Sequence, residues 1–220
     1  MATKFVSVED FAIRTGLGDI DGVAEDVQTK ARYAIEAATA NLVSILRTDF
    51  DVATPTDQYY VDIHELPFVG DFPRFFLSQG FVSTPTASIA LRIASTLGDL
   101  AGGTAVNTAY LVLDQTKGTL LVTGTDVTNI SVPSPALSDR YFADITYTAG
   151  FTSKADAFGS IYENTPGWLT EAAMILSIAI FNTGKACEDK DKNSQGCPCS
   201  IEGLLNRYIR FAPSALKPMS

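Results

Sequence analysis

The sequence is poor in histidine, cysteine and basic residues. Its 220 residues include one histidine, His64, and three cysteines. A Ser-His-Asp or Cys-His catalytic system would need His64, but that residue ends a strand-like stretch, VDIH, and no nucleophile-elbow motif accompanies it. The 16 Lys and Arg residues are outnumbered by 25 Asp and Glu, for a net charge of -9. We therefore expect neither an enzyme nor a protein that grips nucleic-acid phosphates.

The three cysteines fall in one polar segment, GKACEDKDKNSQGCPCS, at Cys187, Cys197 and Cys199. An odd number in one loop is a poor disulfide framework and favours a reducing compartment. The cysteines lack Cys-x-x-Cys pairing and a fourth local ligand, and the DKDKNSQ spacing lacks the glycine of a calcium loop. We expect a solvated charged loop with no metal and no cofactor. A zinc site on the three cysteines stays open as an alternative.

Long apolar runs are also missing. The longest, AAMILSIAIF, is shorter than the roughly 20 residues that a membrane-spanning helix needs, and the start MATKFVSVEDF has no apolar signal-peptide core. Hydrophobic residues still make up 46% of the chain, which is typical of a folded core. We expect a soluble, unsecreted protein with no membrane partner.

The sequence does contain a clear change of periodicity. Apolar residues recur at intervals of three and four from Val23 to about Thr48, and again after Pro166, and each pattern predicts a helix packed against a core. Ser7, three residues before Asp10, predicts the capped start of a short first helix. Between Asp51 and Gly150, alternating β-branched and aromatic residues predict strands, with a hairpin at YLVLDQTKGTLLV.

These patterns predict an α+β fold. N- and C-terminal helices would form an α-helical bundle that carries a long β-rich insertion and an extended C-terminal tail. Residues 1–50 and 145–200 would be the helical body, residues 51–144 the β-rich insertion, and residues 201–220 the tail.

The final segment, IEGLLNRYIRFAPSALKPMS, is amphipathic and has no acidic residue after Glu202. Aromatic and arginine side chains commonly anchor interfaces, so the segment is typical of a docking tail. A frayed terminus, or a helix that covers only its own domain, is the alternative. The candidate docking residues are Leu204, Leu205, Arg207, Tyr208, Ile209, Arg210 and Phe211.

The order of these segments resembles a known family. A long helix ending in RTDFD, a variable β-rich stretch, the strand ITYTAGF, the Pro-initiated helix TPGWLTEAAMILSIAIFNTGK and the ending LLNRYIRF are similar to the head-tail connector proteins of tailed bacteriophages. These are also called adaptor or head completion proteins. The resemblance covers residues 5–50 and 145–211.

The resemblance implies a structural virion protein in the neck of the particle, present in the host cytoplasm before assembly. It implies a homo-oligomeric ring, usually of 12 copies, between the portal protein and a tail or stopper protein. The C-terminal residues named above would dock on the portal. Genomic DNA would pass through the ring without specific binding, because acidic residues repel phosphates.

Two alternatives stay open. The first is a tail-completion or other neck protein with sixfold symmetry. The second is a small enzyme or carbohydrate-binding module built on the β-rich stretch, with an aromatic-lined pocket that contains Tyr59, Tyr60, Phe75 or Phe76.

Overall fold

A computed structural model describes residues 3–62, 74–123, 140–183 and 218–219. The chain forms two compact units, the first from residues 1–47 and 151–209 and the second from residues 48–150 and 210–220. The α-helices are α1 (Val8–Thr15), α2 (Glu25–Leu46) and α3 (Gly167–Thr183). The strands are β1 (Thr3–Lys4), β2 (Thr56–Asp62), β3 (Arg74–Phe76), β4 (Ala90–Ala94), β5 (Thr104–Ala105), β6 (Leu111–Asp114), β7 (Thr119–Val122), β8 (Arg140–Thr146), β9 (Ser153–Asp156) and β10 (Gly159–Tyr162).

Local sequence signals set the ends of the first helix, as predicted. The Ser7 side chain accepts a hydrogen bond from the Asp10 backbone N–H at 3.0 Å, which caps α1. Gly16 ends the helix in the left-handed conformation, with φ of 76°. The long predicted helix is also confirmed, since α2 runs from Glu25 to Leu46.

The core of the first unit lies where α2 packs against α3. Phe11 of α1 joins it through an edge-on contact with the Phe181 ring, whose centroid is 5.3 Å away. None of the described helices is both long and apolar enough to cross a membrane. The buried residues of the two long helices are Ala31, Ala34, Ile35, Ala38, Thr39, Leu42 and Leu46 in α2, and Leu169, Ala172, Ala173, Met174, Leu176, Ser177 and Ile180 in α3.

The predicted fold class, an α-helical bundle with a long β-rich insertion and an extended C-terminal tail, is wrong. The described residues contain ten strands in three sheets against three α-helices, so the chain is mostly β-rich. One of these sheets, in the order β1-β10-β9, lies in the helical unit itself. An aromatic cluster explains it, because the Phe5 ring contacts both Phe151 and Tyr162, with centroids 6.4 and 4.8 Å away.

The second unit contains two sheets that share one core. One sheet has the strand order β2-β8-β4-β5 and the other has the order β3-β7-β6. The predicted hairpin is confirmed as β6 and β7, which pair antiparallel. Alternate residues of β2, β7 and β8 enter the core, as expected for a sheet with one buried face. The core includes Tyr59, Val61, Phe75, Leu91, Ile93, Leu111, Leu120, Val122, Ala143 and Ile145.

Candidate assembly surfaces

A buried hydrogen-bond network occupies the end of β8, within the ITYTAGF motif. The Tyr147 hydroxyl donates to Asp57 Oδ2 at 2.8 Å, and the Ser78 backbone N–H donates to the same oxygen at 2.6 Å. The Tyr59 hydroxyl lies 3.3 Å from that oxygen, and the Tyr147 hydroxyl accepts from the Gln79 backbone N–H at 3.0 Å. Burial raises the pKa of Tyr147 to about 12, so its hydroxyl is a donor at neutral pH. The network therefore ties β2, β8 and the segment after β3 together.

Ala149 and Gly150 of the motif are small because backbone passes close to both. Ala149 forms bridges with Ala53 and with Val82, on two different neighbouring segments. Gly150 has φ of 87°, in the left-handed region that disfavours a side chain. A Cβ at Gly150 would also lie 2.6 Å from the carbonyl carbon of Asp51 and closer still to its oxygen. The Ala-Gly pair of the motif is thus explained by the fold of the second unit.

The first unit presents an apolar surface on α2, on the side opposite its buried residues. With 3.6 residues per turn, positions 33, 36, 37, 40, 43 and 44 lie on one side of the helix. Tyr33 is 56% exposed and Val43 is 37% exposed, and the only charged side chain among these positions is Glu36. We call this surface the outer face of α2; its residues are Tyr33, Glu36, Ala37, Ala40, Val43 and Ser44.

A second candidate surface is the side of the β2-β8-β4 sheet that faces away from its core. Tyr60, which is 41% exposed, lies beside Phe142 with ring centroids 5.4 Å apart. In the next row across the sheet, Gln58 pairs with Asp144, and Asp144 pairs with Arg92. Partial burial raises the pKa of Asp144, and the Arg92 charge and backbone N–H oppose that rise. The surface therefore combines an aromatic pair with a polar row.

The structure leaves several predicted residues outside its described ranges. They include the seven candidate docking residues from Leu204 to Phe211, His64, and the three cysteines of the charged loop. Within the described ranges, no three His, Cys, Asp or Glu side chains are grouped so that they could hold a metal ion. Portal docking by the C-terminal residues stays a prediction.

Two aromatics named for a carbohydrate-binding pocket are core residues. Tyr59 is fully buried and Phe75 is 1% exposed, and their rings meet edge-on with centroids 5.0 Å apart. Tyr60 is the exposed member of the set, on the outer side of its sheet. The buried pair thus serves the packing of the two sheets.

The sequence analysis missed the outer face of α2, although the sequence carries a signal for it. Residues 37–46, AATANLVSIL, contain no charged side chain. A surface helix normally has charged residues opposite its apolar stripe, and a helix that is apolar all round is normally buried. The second half of α2 is therefore unusual for a surface that stays in contact with water.

No protein-family model and no curated protein matches this chain. Three chains of solved structures match it. One of them comes from the neck of an empty GTA particle, computed with C6 symmetry, and covers 94% of this chain and 90% of its own length. The two chains share 18% sequence identity with a TM-score of 0.41, so the similarity is remote.

Proposed function

We propose that this chain is a structural, non-enzymatic protein of a bacteriophage virion neck. It forms a ring, of 12 copies in the connector family that it resembles, between the portal protein and the tail or stopper protein. In that place it acts as a head-tail adaptor that completes the head and lets DNA pass. The GTA neck similarity, at a TM-score of 0.41, carries no weight in this proposal.

The observation that carries the proposal is the outer face of α2, on which Glu36 is the single charged residue. A helix that stays at a water-facing surface gains little from exposed Tyr33 and Val43, whereas a helix that packs against another copy buries them. Ala40 lies between them, and a small residue allows close approach of a second backbone. Since most oligomers are symmetric assemblies of one chain, we assign this face to contact between neighbouring copies.

The acidic start of α2 supports the DNA-passage part of the proposal. Asp19, Asp21, Glu25 and Asp26 are all exposed and precede or begin the helix. Carboxylates that line a channel repel DNA phosphates, so DNA can slide without being held. We propose that this end of the first unit faces the lumen of the ring.

A single charge placed in the outer face tests the copy-to-copy contact. Ala40→Arg puts a long cation at the centre of the face, and burying it unpaired in an interface is strongly unfavourable. Ala157→Arg is the matched control, because it is the same substitution at an exposed residue of the first unit that lies outside the outer face of α2. Circular dichroism first establishes that both variants are folded.

Native mass spectrometry of each protein mixed with portal protein then gives the copy number. We expect a 12-copy ring with the unmodified chain and with Ala157→Arg, and no ring with Ala40→Arg. Ring formation by Ala40→Arg at the level of the control would contradict the assigned face. A ring of six copies would instead support the alternative hypothesis, a tail-completion or other neck protein.

The C-terminal residues have their own test. Tyr208→Ala combined with Arg210→Ala should weaken binding to the portal while the thermal unfolding temperature stays nearly the same. These two residue types are the ones that most often anchor interfaces. If the double variant bound the portal as well as the unmodified chain does, Tyr208 and Arg210 would not be docking residues.

A further inference from the structure

Strand β2 lies at one edge of its sheet among the described strands, because the order is β2-β8-β4-β5. Backbone groups of an antiparallel strand point alternately toward the partner strand and away from it. The Tyr147 backbone N–H donates to the Pro55 carbonyl at 3.3 Å, so residue 55 points toward the β8 side. By alternation, the N–H and C=O groups of Thr56, Gln58 and Tyr60 point outward. We call this row the β2 edge.

The end of the chain lies on this edge. The Met219 backbone N–H donates to the Gln58 carbonyl at 2.6 Å, which is the outward carbonyl that the alternation indicates. Pro218 and Met219 belong to the same compact unit as β2. Met219 is 38% exposed, so its backbone contact and not burial of its side chain marks this position. The chain thus supplies a backbone donor to the outward side of β2.

The residue before Met219 fits the outermost position of a sheet. In an extended segment, adjacent residues point their backbone groups in opposite directions, so Pro218 would point away from β2. Proline has no backbone N–H, and native sheets use it on edges to stop a further strand from pairing. Met219 can therefore pair inward while Pro218 closes the outer side.

We propose that the β2 edge is a strand-docking site and that its occupant is the chain's own C-terminal end, which pairs through Met219 and ends the sheet at Pro218. An open edge strand is a template for pairing with another chain. The C-terminal end covers this template within a single copy. The proposal rests on the Met219 contact alone and stands whether or not the chain forms a ring.

Two substitutions at one position test the contact. Met219→Pro removes the only backbone donor that residue 219 has, whereas Met219→Ala keeps the donor and removes most of the side chain. In solution NMR of the full chain, we expect Met219→Pro to shift the amide nitrogen signal of Tyr59, because that nitrogen shares a peptide group with the Gln58 carbonyl that accepts the bond. The amide nitrogen of Val61, whose peptide group contains the next outward carbonyl of β2, should shift much less, and Met219→Ala should leave both signals nearly unchanged.

Hydrogen exchange tests the same bond in the unmodified chain. We expect the Met219 amide to exchange at least about tenfold more slowly than in a free peptide of the same sequence, at every protein concentration. Exchange at the free-peptide rate would overturn the proposal, and so would protection that disappears on dilution, because the contact would then lie between copies. Equal amide shifts in the two variants would also overturn it.

Self-association tests the protective role of the C-terminal end. Light scattering coupled to size exclusion should show the mass of Met219→Pro rising with concentration, while Met219→Ala stays a single copy over the same range. A Met219→Pro protein that remains a single copy throughout would show that the C-terminal end does not protect the edge.

Discussion

Substituting Gly150 by alanine should destabilise the second unit strongly. Two separate costs apply. A non-glycine residue in the left-handed region costs about 1–2 kcal/mol, and Gly150 has φ of 87°. The added Cβ would also lie 2.8 Å from the Phe50 carbonyl oxygen and nearer to Asp51, where the obstacle is backbone that cannot rotate away. Forced displacement of packed atoms costs about 1–3 kcal/mol, so the expected total is about 2–5 kcal/mol.

Gly167→Ala is the matched control for this prediction. Gly167 begins α3, and a Cβ there would meet nothing within 4 Å. Alanine favours the helix, so this variant should be unchanged or more stable by up to about 1 kcal/mol.

Urea unfolding of both variants, followed by circular dichroism, measures the two free energies of unfolding. The midpoint for Gly150→Ala should fall well below that of the unmodified chain, and the midpoint for Gly167→Ala should not. If Gly150→Ala unfolds at the midpoint of the unmodified chain, the close backbone approach at the end of the ITYTAGF motif is not what fixes the glycine.

Three further predictions concern tyrosines and one ion pair. Tyr147→Phe leaves the Gln79 N–H without its acceptor and should cost about 1–3 kcal/mol in urea unfolding, so an unchanged midpoint would refute the network. Burial raises the pKa of Tyr141 from 10.0 to about 12, so folding favours its protonated form. That stability is present below pH 10 and is lost as the pH rises to 12, by about 2–3 kcal/mol; Tyr141→Phe should lessen the loss, as denaturation at stepped pH would show. Glu171→Gln breaks the exposed 2.9 Å pair with Arg14 and should change the free energy of unfolding by less than about 1 kcal/mol, and a larger thermal shift would contradict this.

Helices and the hairpin could be predicted because their signals are local. The spacing of apolar residues places a helix between Val23 and Thr48, and the structure has it from Glu25 to Leu46. The hairpin β6-β7 follows from two alternating runs around a glycine turn, and Gly118 occupies that turn with φ of 61°. In each case neighbouring residues carry the whole pattern.

The sheet of the first unit could not be predicted, because the strands that form it are far apart in the sequence. Residues 152–164 look like a polar loop, and the side chains of β9 are largely exposed. Strand β10 forms between β9 and β1, and β1 lies more than 150 residues earlier in the chain. The Phe5 contacts with Phe151 and Tyr162 that accompany this pairing leave no periodic pattern in the polar stretch.

The candidate surfaces were also only partly predictable from the sequence. The absence of charge from residues 37–46 is visible in the sequence, but the exposure of Tyr33 and Val43 depends on which side of α2 meets α3. The β2 edge was not predictable, because it needs both the strand order and the contact between Met219 and Gln58. The tail residues Leu204–Phe211 were named from their amphipathic pattern, their composition and the family resemblance.

Cryo-electron microscopy of the chain bound to portal protein tests the central claim most directly. The account predicts a closed ring of 12 copies against the portal, with the outer face of α2 buried between neighbouring copies. Single copies that do not bind the portal, or a ring in which Tyr33 and Val43 face solvent, would contradict it.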